Sequence, residues 1–168
     1  SNASIRFNDL GDSDGDGVGG YIYNSGTIET TSAAYTIRIP DGSYYKIDNY
    51  GNITNSHANG QTIYITDTEN VVINNYSSGI ISATNNSDGN NASKGAINTD
   101  ANNISSGTII NNWGTIIAAH DTIALGTSDT INNYGKIESI NFSDSPAIIM
   151  KGNNNTVNLY DGTLLLGW

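Results

Sequence analysis

Asp12, Asp14 and Asp16 stand at alternate positions of Asp-Ser-Asp-Gly-Asp-Gly, matching the opening of a calcium-binding loop. Carboxylates at this spacing supply hard oxygen donors that converge on one divalent cation, and the glycines allow the turn. The full twelve-residue pattern asks for an acid at its last position, where Tyr23 stands. Two readings stay open: a weak calcium site near the first repeat, or a flexible acidic linker. Further along, Tyr50, Tyr76, Trp113 and Tyr134 each follow a recurring asparagine, and Tyr160 holds the equivalent place. Such a column of rings either contacts flat apolar faces, as sugars and partner surfaces present, or stacks upon itself. Asp41 and Asp67 fall at the same turn of successive repeats, where stacked carboxylates share a cation or stand in water as turn formers. His57 and His120 both lie eight residues after the recurring asparagine, but two repeats apart. They read as surface or turn residues.

The elements that must position these side chains are set by a repeat. Ile-x-Asn-x-Gly-x-Ile occurs at Ile22–Ile28, Ile47–Ile53, Ile110–Ile116 and Ile131–Ile137. A version with one extra residue runs from Ile73 to Ile80, and a degenerate one from Val157 to Leu164. The asparagines 24, 49, 75, 112 and 133 are separated by 25, 26, 37 and 21 residues. A second β-type run keeps the same order, with Ile37, Ile63, Ile97, Ile123 and Ile148 spaced 26, 34, 26 and 25. Periods in the twenties mark a solenoid, because one repeat cannot bury its isoleucines alone. Alternation within each run turns Ile37 and Ile39 inward and Arg38 outward. Strands stacked about 4.8 Å apart then give an all-β, right-handed parallel β-helix of about six coils, roughly 30 Å long. Each signature asparagine is expected to take left-handed backbone at a corner and to bond its amide to the coils above and below. The following glycine is expected to supply a second unusual backbone angle.

Ser1-Asn2-Ala3 reads as a tag-cleavage scar, 4–20 as an acidic Asp/Gly-rich segment, and 21–168 as the β-helix. Within it, 82–95 explains the long interval and reads as a polar loop, while Leu164-Leu165-Leu166 looks like the start of a further coil. Open coil ends allow copies to associate. The net charge of −10 with six Lys and Arg makes nucleic acid and anionic membranes poor partners. Zero cysteines excludes disulfides and thiolate metal sites.

Asn-Asn-Trp-Gly-Thr-Ile, Asn-Asn-Tyr-Gly-Lys-Ile and the stretch from Gly152 to Leu164 resemble the passenger regions of bacterial autotransporters. The resemblance covers Tyr21 to about Leu166. It implies an exported chain at the bacterial surface, often an adhesin associated with virulence. A host or neighbouring-cell glycan or protein is then the expected partner. Asn98-Thr99-Asp100 matches a short polygalacturonase motif, but the Asp-Asp, Gly-His-Gly and Arg-Ile-Lys elements of that family are missing from the sequence. The expected role is a non-catalytic stalk or adhesin segment. Carbohydrate binding or polysaccharide cleavage is the alternative.

Overall fold

The computed structural model describes residues 5–6, 19–84, 95–101, 105–141 and 145–167, with the backbone alone for 100 and 101. Asp12, Asp14 and Asp16 lie outside the described residues, as does the loop between 84 and 95. The chain winds as a parallel β-helix whose coils each give one strand to each of three six-stranded sheets. The first sheet holds Ile5–Arg6, Tyr35–Ile39, Gln61–Thr66, Ile97–Ala101, Ile123–Leu125 and Ile148–Met150. The second holds Tyr21–Asn24, Lys46–Asn49, Val72–Asn75, Ile109–Asn112, Thr130–Asn133 and Thr156–Leu159. The third holds Thr27–Thr30, Asn52–Asn55, Ile80–Ala83, Thr115–Ala118, Lys136–Ser139 and Leu164–Leu166.

One isoleucine column fills the interior from each sheet. They run Ile5-Ile37-Ile63-Ile97-Ile123-Ile148, Ile22-Ile47-Ile73-Ile110-Ile131-Val157 and Ile28-Ile53-Ile81-Ile116-Ile137-Leu165. Their middle members are fully buried, each worth about 2–3 kcal/mol of apolar transfer. β-Branched side chains suit this environment because they hold one rotamer on a pleated surface and repeat without voids.

The columns correct several sequence readings. The signature is two strands and the corner between them, so each coil has three strands where two runs were evident. Ile81, not Ile80, occupies the interior: Ile81 is fully buried and Ile80 is 40% exposed. The corner at 76–79 is two residues longer than its neighbours, and a shift of two preserves side-chain alternation. For the same reason Leu165 takes the inward place in the last coil. Leu164–Leu166 therefore closes the sixth coil rather than opening another, and its sheet neighbours lie on one side only. Ser82 and Ala83 belong to a strand and are buried, which narrows the expected loop.

The corner residues also differ from expectation. None of the signature asparagines has a positive φ. Left-handed backbone gathers instead between the first and second sheets, at Gly42, Tyr44, Asp67, Asn70, Gly107, Ser128 and Asn154. Of the signature glycines, Gly162 in the degenerate last copy is left-handed as expected, with φ +83, whereas 26, 51, 114 and 135 are not. Gly51, Gly114 and Gly135 are required for space, because each sits against the corner of the coil before it. A Cβ on Gly51 would lie 2.1 Å from the Gly26 carbonyl oxygen, and one on Gly135 would lie 2.3 Å from that of Gly114.

Candidate functional site: an aromatic and amide face

The outer surface of the second sheet and its corner carry the column foreseen in the sequence. Tyr50, Tyr76, Trp113, Tyr134 and Tyr160 follow one another along the rod, one per coil. Centroid separations are 4.0, 5.5, 5.3 and 4.1 Å, and successive ring planes lie within 12° of parallel. Tyr23 extends the column at its first end, 5.4 Å from Tyr50 and tilted by 43°. It fills the place left by Ser25, a substitution invisible to an argument from corner positions alone. Because the rings stack along the rod, their faces meet each other and their edges and hydroxyls meet water. Tyr50, Trp113, Tyr134 and Tyr160 are each about 40% exposed. The Tyr50 phenol is raised above its ordinary pKa chiefly by its hydrogen bond to Tyr76, and the Tyr134 phenol by its bond to Tyr160.

Two amide ladders lie beside the rings. The inner one is the signature column: Asn24 Nδ2 donates to Asn49 Oδ1, and the pattern continues through Asn75 and Asn112 to Asn133 at 2.7–2.8 Å. The outer one comes from the preceding strand position and was not read from the sequence, though the Asn-Asn doublets signal it. Asn158 donates to Asn132, Asn132 to Asn111, Asn111 to Asn74, and Asn74 to the Asp48 carboxylate, at 2.7–2.9 Å. The two ladders point in opposite directions.

Asp48 is the charged end of the outer ladder. It also accepts from the Tyr21 hydroxyl at 2.7 Å and pairs with Lys46 at 2.9 Å. Burial pushes its pKa up, but the donors Asn74, Lys46 and Tyr21 outweigh this and hold it below the ordinary value. A folded pKa below the unfolded one stabilises the fold above the unfolded value, and that stability is lost as pH falls through the folded value. Asp48→Asn is therefore expected to remove part of the loss of stability below about pH 4. At pH 7 the change is expected to cost about 1 kcal/mol, since an asparagine continues the ladder and loses mainly a solvent-edged ion pair. Urea melts of both proteins across the acid range would check this. An unchanged acid limb would refute the assignment.

The remaining candidates are dispersed. Thr99 is fully buried, and its hydroxyl donates to Asp129 at 2.5 Å. Asp129, itself fully buried, also accepts from the backbone of Gly126 and Thr108 at 2.8 Å. Thr99 thus belongs to a structural knot, Asn98 beside it is buried, and the Asp100 side chain lies outside the description. His57 caps its own turn, accepting from Asn59 N at 3.0 Å. His120 Nδ1 lies 2.8 Å from Ser145 Oγ in the next coil. Asp41 and Asp67 flank the pairing of Gly42–Ser43 with Thr68–Glu69, which brings their turns together. Among the described residues, no three His, Cys, Asp or Glu side chains are grouped to hold a metal.

Comparison with family models, curated proteins and solved structures gives no match to the chain. What defines it is the fold and this face: a parallel β-helix with continuous isoleucine, asparagine and aromatic columns.

Proposed function

We propose that the chain is a non-catalytic rod segment of an exported bacterial surface protein, a stalk or adhesin part of the autotransporter-passenger kind. The observation that supports this most is the ring column, whose faces are occupied by neighbouring rings. Flat-ring recognition of a sugar needs a free aromatic face, whereas rings stacked coil upon coil add lateral cohesion to a rod. The rod holds its outer faces away from whatever anchors it. A glycan or protein on a host or neighbouring cell is the partner such display would serve.

A second reading rests on Tyr160, the last ring of the column and 42% exposed. Among the described residues its ring stacks on Tyr134 alone, and its other face is the one that would take a sugar ring. The test is tryptophan fluorescence of a Trp168→Phe protein, so that Trp113 reports alone, titrated with acidic and neutral glycans. The rod reading expects a partly quenchable emission that no glycan shifts. A saturable shift with one sugar class, abolished in Tyr160→Ala, would replace it with the glycan-binding reading. Release of sugar fragments would overturn both.

A further inference from the structure

We propose that the aromatic column is a site of oxidative modification, in which Tyr50 with Tyr76, and Tyr134 with Tyr160, are placed to join as dityrosine. The bonds would staple successive coils of a chain that has no cysteine. This goes beyond the rod reading and does not depend on whether the column also meets a ligand.

The geometry carries the argument. The two pairs are the closest contacts in the column, with centroids 4.0 and 4.1 Å apart and planes 4° and 8° from parallel. In each pair the two residues directly follow register-paired strand positions of successive coils, so their rings leave the rod from the same place. Rings stacked face to face from the same place on successive coils bring their ortho carbons toward each other. A tyrosyl radical carries its unpaired spin on oxygen and on the ortho and para carbons, and the para carbon already bears the side chain. Coupling therefore falls on the ortho positions that this stacking superimposes. Effective concentrations within a held pair far exceed those between molecules in dilute solution. The exposed edges let an oxidant reach the rings and let them turn about the new bond.

The chemistry balances with peroxide as the oxidant, delivered through a haem peroxidase. Each phenol of a pair gives up one electron and its hydroxyl proton, forming two phenoxyl radicals. These combine in one carbon–carbon bond. The hydrogen on each newly bonded carbon then leaves as a proton, and one proton returns to each oxygen, restoring both aromatic rings. Two protons and two electrons leave the pair in all, and they convert one hydrogen peroxide to two waters.

A third pair, Tyr35 and Tyr64 on the first sheet, is stacked at 4.2 Å and 14°. It belongs with the same set and also joins neighbouring coils. The competing rule would be exposure. Tyr21, Tyr23 and Tyr44 are 56%, 60% and 51% exposed, more than any ring of the two column pairs. Stacking and exposure therefore select different tyrosines.

The experiment treats the full chain, dilute and folded, with a haem peroxidase and hydrogen peroxide. Dityrosine emission is followed, and linked peptides are mapped by mass. The expected product is a monomer lighter by two hydrogens per link, with links joining Tyr50 to Tyr76, Tyr134 to Tyr160 and Tyr35 to Tyr64, and a raised melting temperature. The double variant Tyr76→Phe, Tyr160→Phe keeps the rings and should lose both column links with its circular dichroism unchanged. Absence of dityrosine, links chiefly at Tyr21, Tyr23 or Tyr44, or links only between molecules would overturn the proposal. So would column links that persist at Tyr50 and Tyr134 in the double variant. A linked monomer that melts no higher than the untreated protein would remove the stapling role.

Discussion

Gly114→Ala is expected to destabilise the rod by about 3 kcal/mol or more, while Gly26→Ala leaves it unchanged or stabilises it by about 0.5 kcal/mol. The two glycines hold the same place in the signature, and neither is left-handed. They differ in what lies against them. A Cβ on Gly114 would fall 2.3 Å from the Gly79 carbonyl oxygen and 2.4 Å from that of Tyr76, both backbone atoms of the coil before. Neither oxygen moves without breaking a backbone hydrogen bond, because Thr115 N bonds to Gly79 O at 3.0 Å and Gly79 N to Tyr76 O at 2.7 Å. Gly26 belongs to the first coil, and a Cβ there meets nothing within 4 Å. Alanine at that site only narrows the unfolded ensemble. Chemical melts of the two variants decide the matter. Equal losses would mean that the signature glycine serves a backbone angle after all, and that coil-to-coil approach is not its reason.

Asn75→Ala is the second large effect, expected at about 3 kcal/mol, against about 1 kcal/mol for Asn24→Ala. Asn75 is fully buried in the middle of the inner ladder. It accepts from Asn49 and donates to Asn112 Oδ1 at 2.8 Å, and its amide lies 3.2 Å from the carbonyl oxygens of Gly79 and Thr115. Its removal takes a partner from the asparagine on each side, in a place that water does not reach. Among the described residues, Asn24 has a ladder partner on one side only. A double-mutant cycle between Asn75 and Asn112 should return a coupling of about 1 kcal/mol. A coupling near zero would show that each asparagine serves only its own corner.

The same two columns show what the sequence discloses and what it conceals. The isoleucine periods are legible because a solenoid interior must repeat, and five asparagines and five aromatics in step leave little else to infer. The column of rings was likewise placed at the right residues. Whether those rings offered faces or edges was not legible, because that depends on how side chains of different coils lean together. The outer ladder was hidden for a related reason: Asp48, Asn74, Asn111, Asn132 and Asn158 look like ordinary polar outward positions until the register sets them in line. The role of Gly51, Gly114 and Gly135 is not legible because φ and free space both favour glycine, and only the neighbouring coil separates them. Tyr23 is not legible as a member of the column because it stands two residues before the corner position it replaces.

The outer ladder has one more property. Each amide in it offers hydrogens toward the coil before and oxygen toward the coil after. Turning one amide over would set hydrogen against hydrogen on one side and oxygen against oxygen on the other. No member reverses alone, so the row behaves as a line of coupled arrows with a single sense. At its head stands a carboxylate, which has no hydrogen to give and admits only one orientation of the neighbour. The sense of the whole line is therefore written once, at Asp48, and read four coils away at Asn158 without any further instruction.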